Sequence, residues 1–143
     1  MSAPAEPELG TEQRAELERG VRQFNEGYFF ECHDTLEELW SGLRGPGRDF
    51  FQGLIQVSVA FYHLGNGNRS GALSMLERAQ RRFGGYPDRW YGFDLAVHRA
   101  ELGRWQRRIA ADDLEGVSRD ELPVWRFEPA PSTAPAGSRG SDR

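Results

Sequence analysis

At 143 residues the chain is long enough for one domain with a sizeable core and too short for two domains of ordinary size. The apolar share of 38% and the aromatic share of 12% predict a packed globule rather than a disordered chain. All 18 basic residues are arginine, which excludes enzymes that need a Schiff-base or phosphate-loop lysine. The net charge of −4 argues against general nucleic-acid binding.

The sequence carries no signal for membrane insertion or secretion. No apolar run approaches the ~20 residues that a spanning helix needs, and the N-terminus lacks a basic start followed by an apolar stretch. The single cysteine provides no disulfide framework, which is typical of a reducing compartment. We therefore expect a cytoplasmic protein that is not associated with a membrane.

Both ends of the chain are predicted to be disordered tails. Residues 1–10 are rich in proline and glutamate, and residues 129–143 are rich in proline, serine, glycine and alanine. Such segments cannot bury enough apolar surface to fold. Residues 11–128 are predicted to form a single helical domain.

Five helices are predicted in this domain from the spacing of apolar residues. The first begins near Thr11, a candidate N-cap, and ends before Gly27, which readily adopts the left-handed conformation found after helices. The others are expected at about 28–43, 50–64, 70–83 and 93–110. The third is apolar nearly all round, which indicates a buried central helix. Short connections between these helices predict an all-α, antiparallel bundle of one domain.

The second predicted helix carries two stripes of side chains at helical spacing. One stripe is apolar and belongs to the core; it contains Phe29, Cys32, Leu36, Leu39 and Leu43. The other places a histidine and a carboxylate one turn apart between two aromatic residues; it contains Phe30, His33, Glu37 and Trp40. The remaining acids of this helix are expected to face water; they are Glu31, Asp34 and Glu38.

Polar residues also share one face of the third helix, at Gln52, Gln56 and His63. A helix so apolar should not carry unpaired polar side chains, because each would cost ~1–3 kcal/mol when buried. We therefore predict that these three residues face His33 and Glu37 across a shared, half-buried pocket.

Trp40 ends the polar stripe of the second helix, so its ring is expected to cap one end of this pocket. A buried indole N–H usually finds an acceptor, and we predict one for Trp40.

Four segments together resemble the DUF309 family, a group of small helical proteins of unknown function from bacteria, archaea and plastid-bearing organisms. They are "FNEGYFFECHDTLEELW", "FFQGLIQVSVAFYHLGNGN", "GALSMLERA" and "YGFDL", and the resemblance covers about residues 20–96. The family form usually carries Glu after its histidine, whereas Asp34 stands there in this chain. The resemblance implies a compact helical bundle and no established activity.

Three interpretations of the polar residues remain open from the sequence. The first is a divalent metal site for zinc, iron or manganese with His33, Glu37 and His63 as ligands and Gln52 or Gln56 behind them. The second is a buried polar network that only fixes helix register. The third is a small-molecule pocket built from the same side chains, with Gln52, Gln56 and Trp40 contacting the ligand. The first and third imply a binding protein, the second a non-catalytic helical interaction module.

The arginines are concentrated in the second half of the helical domain. Residues 69–108 contain nine arginines and four acids, whereas residues 1–68 contain five arginines and eleven acids. We predict that Arg78, Arg82 and Arg89 attract a small anionic ligand at the opening of the pocket. The alternative is that they pair with the acidic first half of the chain.

Other reactive side chains have structural explanations. Cys32 lies on the core stripe and is interpreted as a small hydrophobe. His98 stands alone on the fifth helix and is interpreted as a hydrogen-bonded histidine between helices. Asp94 precedes that helix and is interpreted as its cap.

Overall fold

Five α-helices account for most of residues 3–128, the part of the chain that the computed structural model describes. They are α1 (Thr11–Asn25), α2 (Phe29–Ser41), α3 (Gly47–Gly65), α4 (Arg69–Phe83) and α5 (Leu95–Ala110). Two short strands, β1 (Arg89–Trp90) and β2 (Phe93–Asp94), lie between α4 and α5, and a 3₁₀ turn at Arg119–Glu121 follows α5. The all-α class and the five predicted helices are confirmed. The predicted tail at 129–143 lies outside the described residues.

Helices that are consecutive in the chain pack against each other, from α1 on α2 to α4 on α5. Helix α3 lies in the middle, in contact with both α2 and α4. Its side chains Phe50, Phe51, Leu54 and Val57 are fully buried. The prediction of a buried central helix is therefore confirmed. Because α3 packs against α2 on one side and α4 on the other, each of its polar residues can face either helix.

The ends of α1 agree with the sequence in one place and differ in another. Gly27 has φ +87° after α1, as predicted for a residue that ends a helix. The N-cap is Gly10 and not Thr11, which is already helical. Gly10 adopts an extended conformation, and its N–H donates to Oε1 of Gln13 at 3.1 Å. The side chain three residues into the helix therefore supplies the cap that Thr11 was expected to supply.

The connection between α4 and α5 forms a tight β-hairpin. Arg89 pairs with Asp94 and Trp90 with Phe93, which leaves Tyr91 and Gly92 as a two-residue turn. Both turn residues have positive φ, 51° and 75°, as a type I′ hairpin requires. The hairpin directs Trp90 and Phe93 onto Phe50 of α3, with ring centroids 4.7 and 5.7 Å away. It is therefore part of the core.

Residues 3–10 run along this hairpin. The indole N–H of Trp90 donates to the backbone carbonyl of Pro4 at 2.9 Å, and the N–H of Tyr91 donates to the carboxylate of Glu6 at 2.7 Å. Leu9 packs against the core. These contacts were not predicted from the sequence, which was interpreted as a disordered tail over residues 1–10.

The segment after α5 returns to the beginning of the bundle. The ring of Trp125 stacks on Phe24 of α1, with centroids 3.9 Å apart and an interplanar angle of 4°. The side-chain amide of Asn25 donates to the carbonyl of Trp125 at 2.9 Å, and its oxygen accepts from the N–H of Trp125 at 2.7 Å. These contacts attach the C-terminal segment to the end of α1.

The close approach of α3 and α4 depends on Gly53. A Cβ at this position would lie 2.6 Å from the buried ring of Phe83. We expect Gly53→Ala to lower the free energy of unfolding by about 1–3 kcal/mol, because the helices must move apart to accept a methyl group. Gly65→Ala is the matched control at the end of the same helix, where nothing lies within 4 Å of the added atom. Urea denaturation measures both; equal stabilities would contradict the packing.

No helix among residues 3–128 is both long and apolar enough to cross a bilayer.

Candidate metal-binding site

The candidate site lies on the outer part of α2, where one histidine is flanked by two carboxylates. Nε2 of His33 lies 3.4 Å from Oε2 of Glu37, one turn later. On the other side of the ring, Nδ1 lies 3.4 Å from Oδ1 of Asp34. The exposed fractions of the three side chains are 23% for His33, 62% for Asp34 and 56% for Glu37. The ring is therefore half-buried while the carboxylates reach solvent.

The helix itself produces this arrangement. Residues four apart are neighbours on a helix surface, so Glu37 meets His33 without help from another element. Phe30, one turn before, packs beside the imidazole with ring centroids 5.7 Å apart and limits its movement. The pair predicted from the sequence is confirmed as a spatial pair. Asp34, which was expected only to face water, is exposed and yet turns its carboxylate to His33.

The distances between His33 and its two carboxylates are longer than those of ordinary hydrogen bonds. A separation of 3.4 Å is long for an N–H···O hydrogen bond, whose usual range is about 2.7–3.2 Å. Two ligand atoms at ~2.0–2.1 Å from a tetrahedral zinc ion lie about 3.4 Å apart. Nδ1 of His33 is buried and has no partner at hydrogen-bond geometry within residues 3–128. Donor atoms of His33, Asp34 and Glu37 lie within 4.8 Å of one another.

Trp40 caps the stripe in a different way from that predicted. Its indole N–H is buried and has no acceptor within the described part of the chain, so the prediction of an acceptor is wrong. The guanidinium of Arg48, at the start of α3, lies over the indole ring, with Cζ 3.7 Å from the ring centroid. Trp40 is therefore held through its π face by a cation rather than through its N–H.

The polar residues of α3 do not join His33 and Glu37. Oε1 of Gln56 accepts from Nε of Arg82 on α4 at 3.2 Å. His63 lies at the end of α3, with Nδ1 3.4 Å from the amide nitrogen of Asn68. Gln52 is half-buried and makes no side-chain hydrogen bond within residues 3–128. The predicted convergence of these residues in one pocket is wrong, because Gln56 faces α4 and His63 contacts the connection to α4.

An open cleft of about 660 Å³ lies beside the candidate site, between α1 and α2. It is lined by Arg19, Asp34, Thr35, Glu37, Glu38, Trp40 and Ser41. At its edge, partial burial raises the pKa of Glu16, and a hydrogen bond to Glu38 together with that carboxylate's charge adds to the effect. The cleft is therefore rich in carboxylates, with Arg19 as the one basic residue in its lining.

A second, more apolar groove does not include His33 in its lining. It has a volume of about 570 Å³ and lies where the beginning of α2 meets the end of α3. Tyr28, Phe30 and Tyr62 are exposed by 55%, 48% and 40%, and they belong to its lining. Sequence periodicity indicated a helical stripe for Phe30 but not this groove, which needs Leu114, Val117 and Leu122 from the C-terminal segment as its other wall.

The remaining candidate residues have structural roles, with one exception. Burial raises the pKa of the Cys32 thiol to about 12, so this core cysteine stays protonated. Asp94 caps α5 by accepting from the N–H of Val97 at 3.2 Å. Both interpretations are confirmed. His98 is buried as expected, but its Nε2 has no hydrogen-bond partner within residues 3–128, so the interpretation as a hydrogen-bonded histidine is wrong.

These features define a small helical bundle with a histidine–carboxylate pair on its second helix. The model of the family described as "Domain of unknown function (DUF309)" matches residues 17–75. The resemblance found from the sequence is therefore confirmed over these residues. The matched segment contains His33, Asp34 and Glu37.

Two curated relatives are themselves uncharacterized. A protein of Aquifex aeolicus (strain VF5) is 28% identical over 96 residues, which are 66% of this chain and 29% of that protein. The protein YpuF of Bacillus subtilis (strain 168) is 37% identical over 54 residues, which are 37% of this chain and 31% of YpuF. The chain therefore aligns with about a third of the length of each relative.

Proposed function

We propose that this helical bundle binds a divalent metal ion through Nε2 of His33 and a carboxylate oxygen of Glu37. The observation that carries the proposal is the separation of 3.4 Å between these two atoms, which is the distance expected between neighbouring ligands of a tetrahedral ion. Imidazole with carboxylate is a ligand set suited to zinc, iron or manganese.

We propose that Asp34 orients the imidazole of His33 without binding the metal itself. Its carboxylate lies on the Nδ1 side of the ring. The negative charge of Asp34 on this side favours the tautomer that carries its proton on Nδ1, which leaves the Nε2 lone pair free for a metal. Asp34 directly follows His33 on α2, so even its short side chain comes within 3.4 Å of the ring. The departure from the family's usual Glu thus retains a carboxylate at this place.

His63 and Gln56 are not part of the proposed site. Gln56 is bound to Arg82, and the group of candidate ligands within residues 3–128 consists of His33, Asp34 and Glu37. With two protein ligands, the ion would keep open coordination positions, as catalytic rather than structural zinc sites do. Glu37 and Asp34 line the cleft between α1 and α2, and we propose that water from this cleft occupies the open positions.

The test measures bound metal in protein purified without an affinity tag. Wild-type protein is expected to bind zinc, iron or manganese in stoichiometric amounts after reconstitution. Glu37→Gln keeps the shape of the side chain but removes its charge, so bound metal should fall sharply. Asp34→Asn should weaken metal affinity by about 10–100-fold, the usual effect of losing a residue that orients a histidine ligand.

Glu31→Gln is the matched control for these variants, because Glu31 is an exposed acid on α2 outside the group. It should bind metal as wild type does. Metal content that is equal in wild type and Glu37→Gln would contradict the ligand role. The alternative function, a non-catalytic helical interaction module whose polar residues are structural, would then account for the stripe.

A further inference from the structure

The arginines of α4 form a second polar feature, on the face of the bundle where α4 packs against α3. A cleft of about 410 Å³ opens there, lined by Asp49, Gln56, Arg78, Arg81 and Arg82. Three guanidinium groups and one carboxylate give the lining two net positive charges. The cleft is distinct from the candidate metal site, since none of these residues contacts His33 or Glu37 within hydrogen-bond or ion-pair distance.

We propose that this cleft binds a small phosphorylated metabolite through its phosphate dianion. Two of the three arginines lack any partner: Arg78 and Arg81 make no side-chain hydrogen bond and no ion pair within residues 3–128, and both are exposed. Arg78 lies four residues before Arg82 and three before Arg81, so all three guanidinium groups can be directed to the same side. Like charges at this spacing repel each other on a helix, and a bound anion relieves that repulsion.

Arg82 is held in place for such a role. Its Nε donates to Oε1 of Gln56 at 3.2 Å, and its Nη1 donates to the carboxylate of Asp49. Gln56 is only 7% exposed, so it anchors the guanidinium to the buried face of α3. The two bonds use the Nε and Nη1 donors, and the Nη2 donors remain for an anion. A planar guanidinium with fixed orientation is well suited to bidentate contact with phosphate.

The set of arginines predicted from the sequence differs from this one in a single residue. Arg78, Arg82 and Arg89 were predicted to attract an anion, but Arg89 lies on β1 and pairs with Asp94 at 3.4 Å. Arg81 takes its place in the cleft. Asp49 accounts for part of the alternative, that the arginines pair with the acidic first half, yet it engages Arg82 alone. The charge of Arg78 and Arg81 is left uncompensated.

The cleft has room for a ligand larger than inorganic phosphate. About 410 Å³ falls in the range of ~300–1,000 Å³ found for small-molecule sites, so there is room for an organic group attached to the phosphate. A phosphate monoester carries up to two negative charges near neutral pH, which matches the two uncompensated arginines.

The experiment uses the full chain and two probes, inorganic phosphate and ribose 5-phosphate, followed by NMR of the arginine Nε–H groups at low salt. Saturable shifts of the Arg78, Arg81 and Arg82 signals are expected, with a Kd of about 1 mM or tighter and a lower Kd for the ester. Affinity should decrease as ionic strength rises. The double variant Arg78→Gln/Arg81→Gln should weaken binding by about tenfold or more, since each lost bond to a charged group is substantial.

Arg107→Gln is the matched control, because Arg107 is an exposed arginine near the end of α5, outside the cleft. Gln56→Leu tests positioning: it leaves all three charges but removes one of the two bonds that hold Arg82, so ester binding should weaken while the salt dependence remains. Absence of saturable shifts, or equal loss in the Arg107 control, would overturn the proposal. Tighter, Arg78-dependent binding of a single-stranded oligonucleotide than of the ester would also overturn it, in favour of a nucleic-acid surface.

Discussion

Trp125→Ala is expected to lower the free energy of unfolding by about 3–5 kcal/mol, the usual cost of truncating a buried aromatic residue. The side chain is 2% exposed and lies flat against Phe24. Removing the ring leaves Phe24 without its stacking partner and opens a cavity between α1 and the C-terminal segment. The two hydrogen bonds between the side-chain amide of Asn25 and the backbone of residue 125 remain in the variant but cannot fill that cavity.

Urea denaturation followed by circular dichroism measures this loss. Val124→Ala is the matched control, because Val124 is the preceding residue and is 45% exposed; its effect should stay within about 0.5 kcal/mol. If Trp125→Ala were as stable as the Val124 variant, the C-terminal segment would not be docked on α1. The wall that Leu122 contributes to the apolar groove would then be absent as well.

The helices were predictable because each has a pattern in its own local sequence. Apolar residues at intervals of three and four, interrupted by glycine-rich stretches, gave five helices that agree with the structure to within about three residues at each end. The left-handed conformation of Gly27 follows from its chemistry alone. By contrast, Trp125 lies in a segment without periodicity, and its contact with Phe24 spans about a hundred residues. No local sequence pattern predicts such a contact.

The candidate site shows the same division. The pair of His33 and Glu37 depends only on helix geometry, and the sequence predicted it. The proposed partnership with Gln56 required a choice between the two helices that flank α3. Periodicity states which residues share a face, but not which neighbour covers that face. Gln56 faces α4 and Arg82, so the polar residues divide between two separate clusters.

Asp34 shows a further limit. Asp34 lies outside the stripe that contains His33 and Glu37, and its carboxylate was therefore expected to face water. A short side chain can nevertheless bend along the helix surface, and Asp34 reaches Nδ1 of the imidazole at 3.4 Å. Side-chain torsions that bring a carboxylate back to its neighbour are not encoded in spacing. The three-residue group therefore emerged only from the structure.

His98 is expected to make the stability of the fold strongly dependent on pH. Burial lowers the pKa of His98 from 6.5 to about 3, and its neighbours are the rings of Phe83, Phe93 and Trp125. The folded protein therefore keeps a neutral imidazole, while the unfolded chain binds a proton below about pH 6.5. Between about pH 6.5 and pH 3 the unfolded state binds more protons, so stability falls as pH falls. Above pH 6.5 His98 does not lower the free energy of unfolding. Below pH 6.5 His98 alone lowers it by about 1.4 kcal/mol for each pH unit.

His98→Leu isolates this contribution from that of the carboxylates. Leucine removes both the titrating group and the unpaired Nε2, so the variant should be about as stable as wild type at pH 7, or more so. Urea denaturation of both proteins between pH 7 and pH 4 should show the variant gaining on wild type steadily as pH decreases. His98→Gln separates titration from polarity: it should lose the same pH slope but be less stable at every pH, because a buried amide is retained without partners. Parallel pH profiles for wild type and His98→Leu would mean that the imidazole is protonated in the folded state, and hence that the aromatic enclosure around it is open to water.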